Sequence, residues 1–371
     1  MDKKSSDTRV LLLVPDIAGV GGVTNYYRVL DLPKYGNVQY FFVNTPEKQS
    51  SLQLIFRLCW NYLKFMGRLL TQHYDIVHIN PSLNRNSFLR DALFALLARL
   101  FGKKVLIFFR GWEDSYEAKI KASAFQQWLF NNSIAKAHKY VVLGDIFRRK
   151  LIGLGVPEDS SFIIETTVAD SGYLSDLNLE TKLEEFNNRE INFLFLSRIL
   201  EQKGIYIALN IYQTLCEEYP EHKLRFTVAG SGPELEKSRA YVEEHQIPNV
   251  VFTGHVQNEE KKEVLLKAQI FLFPTYYGEG LPNSILEAML YGQVIISRIN
   301  AGIPDVVGAN GGFITESKQP EDYLPYLRDL LVSPDKYHEV AFANHQVALE
   351  KFTSEKVRSR ILDLYQSFKE V

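Results

Sequence analysis

The sequence predicts an α/β protein built as two doubly wound domains, and three observations predict it. Short apolar runs alternate with longer helical patterns along all 371 residues. Near-continuous apolar strands separated by helices are the mark of parallel sheets covered on both faces. The runs form two series, separated by a polar, acidic stretch at 170–190 (DSGYLSDLNLETKLEEFNNRE) that reads as a linker. Charge divides the same way. Residues 1–157 hold 22 Lys+Arg against 11 Asp+Glu, or +11; the rest hold 20 against 33, or −13, which leaves the net −2 of the chain. Such asymmetry indicates two domains with different partners, and the length suits two.

The first series reads as strands at 9–14, 38–43, 76–79, 105–109, 139–143 and 162–165. After the first strand comes GVGGV (19–23), then a helix. Gly21 and Gly22 let backbone N–H groups approach a phosphate. A dinucleotide-binding G-x-G-x-x-G needs a glycine where Thr24 stands, which excludes a dehydrogenase of that kind. His78 alternates with Val77 and Ile79 inside a strand, which reads as a core histidine rather than a catalytic one. Residues 51–70 and 87–104 are apolar, basic helical patterns suited to an anionic lipid interface. Both are also legible as helices covering the sheet, the second more readily than the first. The second series reads as strands at 191–197, 224–229, 250–254, 270–274 and 294–297. The run 353–370 is a final helix.

Composition excludes several classes. Cys59 and Cys216 stand far apart in helical patterns and form neither a zinc pattern nor a disulfide framework, as expected for a reducing cytoplasm. The apolar run after Lys3, Lys4 and Arg9 is cut by Pro15 and Asp16, too short for a signal peptide. No stretch has the length of a membrane span. Signatures of nucleic-acid binding are missing. No metal-ligating cluster and no Ser-His-Asp order stands out.

Chemistry gathers in a few loops. In YYGEGLPNSILEAMLYG (276–292) the glycines mark a tight loop. Pro282 suits the first position of a helix running to Leu290, and Gly292 stops it. Glu279 precedes that helix, and Glu287 lies on its second turn in a stripe with Asn283, Ser284 and Tyr291. A helix start attracts anions, so both acids face whatever binds beside it. In SRILEQKG (197–204), Arg198 and Lys203 stand five apart after a strand and suit a diphosphate, the Arg as a fork and the Lys as a point charge. Gly230 and Gly232 of AGSGPELE (229–236) permit close approach to a ligand. Arg110 ends the fourth strand, beside Glu113 and Asp114, which offer it a local salt bridge.

Together these segments resemble family-4 retaining glycosyltransferases. That family's second domain reads G-R-x4-K-G, G-x-G-P, E-G-x-P-x4-E and G-G-x-P-E. The chain has Ser197-Arg198 with Lys203-Gly204, then Gly230-Ser231-Gly232-Pro233, then Glu279-Gly280-Leu281-Pro282 with Glu287, then Ala301-Gly302-Ile303-Pro304-Asp305. More loosely, GGVTNYY (21–27), YDIVHIN (74–80) and LIGLGVPEDS (151–160) resemble segments of its first domain. The resemblance implies a GT-B fold, two Rossmann-like domains facing across a cleft. The boundaries are 1–168 for acceptor binding and 169–350 for nucleotide-sugar binding, with 351–371 as a C-terminal helix crossing back to the first domain.

By that resemblance Arg198 and Lys203 hold the donor diphosphate, Glu287 takes the ribose hydroxyls, and Glu279 lies by the donor sugar with the backbone of Gly280, Leu281 and Pro282. Glu279, Arg198, Lys203 and Arg110 are the catalytic candidates. The implied activity is a hexosyltransferase type of transfer, with retention, from a nucleotide-diphosphate sugar to a hydroxyl of a glycan or lipid-linked acceptor in bacterial surface polysaccharide synthesis. No metal or other cofactor is expected, and the location is cytoplasmic, peripheral on the inner face of a membrane. Alternatives are a nucleotide-sugar-binding protein without transfer activity and a sugar-nucleotide epimerase. The chain departs from the family where Arg110 replaces a His, where Glu165–Asp170 replaces P-N-G-V-D, and where Asp305 replaces a Glu.

Overall fold

The computed structural model describes residues 8–19, 21–44, 51–169, 172, 174–278 and 280–369. The chain divides into two compact units, Met1–Thr167 with Ser354–Val371, and Val168–Thr353.

The first unit contains β1 (Val10–Val14), β2 (Val38–Phe42), β3 (Ile76–Ile79), β4 (Ser82–Leu83), β5 (Lys104–Phe108), β6 (Gly111–Trp112), β7 (Lys139–Val142) and β8 (Phe162–Ile164). Its main sheet is parallel, in the order β2-β1-β3-β5-β7-β8, and β4 pairs with β6 in a small ribbon. Strands β1 and β3 are buried at every position, as expected for strands covered on both faces. The segment 87–104 falls largely in the helix Arg85–Leu100, which buries Phe88, Ala92, Phe94, Ala95 and Ala98 and so covers the sheet.

The helix Ser354–Gln366 belongs to this first unit. Arg358 Nε donates to the carbonyl of Leu30 at 2.7 Å, at the end of the helix Gly22–Leu30. Arg360 forks onto Glu165 at 2.8 and 2.6 Å. Lys104 Nζ donates to the Phe368 carbonyl at 2.6 Å.

The second unit contains β9 (Glu190–Leu196), β10 (Lys223–Ala229), β11 (Val250–Gly254), β12 (Ile270–Phe273), β13 (Val294–Arg298) and β14 (Gly312–Thr315). They form one parallel sheet, ordered β11-β10-β9-β12-β13-β14. Every run read as a strand in the sequence is a strand here, within one or two residues. Strand β14 was not anticipated. It is an edge strand, half-buried throughout, with only two apolar side chains that follow a Gly-Gly pair. Gly312 is required there: a Cβ would sit 1.9 Å from the Ile295 carbonyl oxygen of β13.

The expected linker is corrected too. Within 170–190, Leu179–Asn187 is a helix, capped by the Asn178 side chain, which accepts from the N–H groups of Glu180 and Thr181. Phe186 stacks on Tyr337 at 4.1 Å. Lys182 is buried and donates to the carbonyls of Leu265, Ala268 and Tyr291 at 3.1, 2.7 and 2.7 Å, closing the ends of two other helices. Acidic composition hid a helix whose inward face holds one ring and one fully bonded amine.

Candidate functional site

In the second unit, strand order reverses between β9 and β12. In open α/β sheets ligands bind outside the carboxyl ends of the strands at such a switch point. The loop after β9 carries Arg198 and Lys203, and the loop after β12 carries Tyr276, Tyr277 and the start of the helix Asn283–Leu290. The two loops interlock. Tyr276 N–H donates to the Gln202 carbonyl at 2.8 Å. Gly204 has φ +84°, and a Cβ on it would meet the Pro274 carbonyl oxygen at 2.3 Å.

The loop after β10 is fitted to the same place. A Cβ on Gly230 would lie 1.8 Å from the Ser197 carbonyl oxygen, and one on Gly232 would lie 2.2 Å from that of Ile199. These glycines are therefore required by loop-on-loop packing, whatever the loop binds.

The structure brings Arg198 and Lys203 together. Arg198 is exposed, while Lys203 is buried in the short turn Glu201–Lys203. Lys203 Nζ lies 4.6 Å from the Tyr277 ring centroid and 5.8 Å from that of Phe273. Burial, and then the neighbouring Arg198 charge, push the Lys203 pKa down to about 8. Two like charges near each other raise each other's energy, and an anion bound between them would relieve it.

The helix Asn283–Leu290 starts one residue later than expected. Pro282 has φ −66° but an extended ψ of 124°, so it caps the helix rather than opening it. Gly292, at φ +66°, ends it. The polar stripe of this helix is partly buried: Glu287 and Tyr291 are 2% and 1% exposed, and the helix Pro334–Lys351 packs alongside. Glu287 is paired with Lys261, whose Nζ donates to Oε1 at 2.6 Å. Gly280 accepts at 3.1 Å from the N–H of Gly302, and Leu281 is buried. Glu279 lies outside the described residues.

In the first unit, Gly21 and Gly22 open the helix Gly22–Leu30, which no side chain caps. A Cβ on Gly22 would meet nothing within 4 Å. From that helix Tyr27 reaches a buried polar cluster. Its hydroxyl donates to Asn80 Oδ1 at 2.6 Å and accepts from Arg110 Nη2 at 2.7 Å. Arg110 Nε donates to the same Asn80 oxygen at 2.9 Å. The hydroxyl of Tyr365, from the C-terminal helix, shares a hydrogen bond of 2.7 Å with His78 Nδ1, and His78 Nε2 lies 3.4 Å from the Tyr27 hydroxyl. His78 is fully buried, and burial with the Arg110 charge holds its pKa well below the usual range, so it is a neutral core histidine.

Arg110 is 7% exposed, and its guanidinium carbon lies 3.4 Å from the Phe108 ring centroid and 4.1 Å from that of Tyr26. The expected local salt bridge is absent. Glu113 accepts instead from Ser115, and Asp114 pairs with Lys150. Among the described residues no carboxylate forms an ion pair with Arg110. Its partners among the described residues are neutral oxygens and π faces.

Sequence reasoning missed Lys261, Tyr27 and Asn80. Tyr27 and Asn80 stand inside segments that had drawn notice for their neighbours. Lys261 sits in the charged run NEEKKEVLLK (258–267), where nothing marks one lysine from the next. Among the described residues no group of His, Cys, Asp and Glu is arranged to hold a metal ion.

Comparison with known proteins bears on this arrangement. Residues 179–346 match the family described as glycosyl transferases group 1. The putative colanic acid biosynthesis glycosyltransferase WcaL of Escherichia coli is 30% identical over 126 residues, 32% of this chain and 30% of WcaL. The amylovoran biosynthesis glycosyltransferase AmsK of Erwinia amylovora is 26% identical over 176 residues, 44% of this chain and 40% of AmsK. The chain thus aligns with less than half the length of either. The crystal structure of Anabaena HepE in complex with UDP-glucose superposes with a TM-score of 0.70 at 12% identity, over 97% of this chain and 99% of HepE. At that identity the likeness is one of fold.

Proposed function

We propose, from the GT-B fold and the match of residues 179–346 to glycosyl transferases group 1, that the chain is a retaining glycosyltransferase, moving a sugar from a nucleotide-diphosphate sugar to a hydroxyl of a glycan or lipid-linked acceptor. The pair Arg198 and Lys203 at the β9/β12 switch point carries this reading. When the bond from the anomeric carbon to the phosphate oxygen breaks, negative charge collects on the departing nucleoside diphosphate. Preorganised cations there are worth more in the transition state than in the ground state. Neutralisation falls to Arg198 and Lys203, and no metal is required.

Glu287 takes the ribose hydroxyls, and Lys261 holds its carboxylate in place. Glu279 serves the donor sugar. We assign no enzymic nucleophile, because the paired-carboxylate scheme of glycosidases does not suit an acid engaged by ribose. The first unit takes the acceptor. Arg110 supplies a fixed positive charge to the donor phosphate or to an acidic acceptor; it cannot take a proton as a His would. The names of WcaL and AmsK, biosynthetic glycosyltransferases for colanic acid and amylovoran, support a place in bacterial polysaccharide synthesis, which we assign to the cytoplasmic side of the membrane.

The test is nucleoside diphosphate release from a panel of nucleotide sugars, with and without acceptor extracts. Acceptor-dependent release is expected. Binding with release no faster than in Arg198→Ala would make the chain a nucleotide-sugar-binding protein. Conversion of the sugar without release would make it an epimerase.

A further inference from the structure

The helix Ser51–Thr71 turns its apolar side outward. Phe56, Trp60, Leu63, Gly67 and Leu70 are spaced four, three, four and three, which places them on one stripe. Phe56 and Leu70 are each 73% exposed, Leu63 56% and Trp60 49%. The opposite side packs normally: Phe65 and Leu69 are buried, and the Phe65 ring lies 5.7 Å from Phe41 and 5.0 Å from Phe94. The helix is therefore anchored to the sheet and still presents a row of large apolar groups to its surroundings. Arg57, Lys64 and Arg68 are its only charged residues, and at 100° per residue all three fall on one flank of the stripe. Lys64 Nζ lies 5.5 Å from the Trp60 ring centroid.

We infer that this face inserts into the headgroup region of an anionic lipid bilayer. The spacing would also suit a helix of a second copy. Charge decides against that: an antiparallel pairing would bring two sets of like cations along one seam, a parallel pairing would set each against a flank without an acid, and the helix has no acid to meet them. A surface of anionic headgroups meets an apolar stripe with a basic flank on both counts. Among the described residues no helix is long and apolar enough to cross a membrane, so the attachment lies in the plane of the interface.

Flotation of the full chain with vesicles tests this, with no donor or acceptor present, so failure leaves the transfer reading untouched. The parent should float with phosphatidylglycerol–phosphatidylcholine vesicles and far less with phosphatidylcholine alone. The triple variant Phe56→Ser, Trp60→Ser, Leu63→Ser should lose about tenfold or more of its partitioning at any salt. Lys64→Gln with Arg68→Gln should lose roughly tenfold at low salt and little at high salt, where the charges are screened. An unchanged Tm in each variant checks that the fold is intact. Three results would overturn the inference: no flotation with anionic vesicles at low salt, a triple variant that floats like the parent, or a concentration-dependent dimer that the triple variant abolishes.

Discussion

At the scale of single residues, the donor clamp makes the sharpest predictions. Glu287→Gln keeps the shape but removes a charge-assisted contact of about 1.5–3 kcal/mol, so kcat/KM should fall by one to two powers of ten. Arg198→Ala and Lys203→Ala should cost more, because the charge they meet grows in the transition state; initial rates of diphosphate release measure both. The Lys203 pKa of about 8 adds a pH signature. Below that pH the amine is charged and binds phosphate; above it donor affinity should weaken, and Lys203→Arg should abolish the weakening. Stability runs the other way. The unfolded chain keeps this proton up to its ordinary pKa, so Lys203 makes folding more favourable as pH rises from about 8 toward 10.5. For Arg110, an electrostatic role predicts that Arg110→Ala and Arg110→His both lose transfer and that Arg110→Lys keeps part of it. Transfer by Arg110→Ala at the parent rate would leave Arg110 only its contacts with Tyr27 and Asn80.

Elements were legible wherever their signal was local. An apolar run such as IFLF is a strand in nearly any context that buries it, and β12 is buried at every position. The strand β14 and the helix Leu179–Asn187 escaped because their reasons lie elsewhere in the chain. The first needs β13 as a partner, and the second needs Tyr337 and three distant carbonyls. The same distance makes them sensitive. Lys182→Met should destabilise the second unit by about 2–4 kcal/mol, since three buried carbonyls lose their donor while the aliphatic stem is kept; urea unfolding measures it. In the C-terminal helix, Arg360→Ala should cost about 1–3 kcal/mol. Glu165, 6% exposed, would be left with its Thr166 contacts alone, and the half-exposed arginine keeps the figure below that of a fully buried pair.

On the scale of the whole molecule, the site divides in the same way. Arg198 and Lys203 lie five apart and could be paired by reading along the chain. The Glu287–Lys261 and Arg110–Asn80–Tyr27 contacts join residues whose separation in sequence carries no signal. The first unit is itself discontinuous, since Ser354–Val371 completes it. Deleting 354–371 should speed hydrogen exchange in β3 and β5, where His78 loses Tyr365 and Lys104 loses the Phe368 carbonyl, and leave β9, β10 and β12 as they were. Equal exchange in both sheets would show that the helix is not needed to close the first unit. The discontinuity also sets an order of manufacture. On a ribosome the six main strands of the first unit emerge early, but their last helix follows the 186 residues of Val168–Thr353. At about 5–20 residues per second this delay is about 10–40 s. The half of the protein that is made first is therefore finished last, and for that interval the nascent chain carries an open sheet, a natural client for a chaperone, beside a second unit able to complete itself.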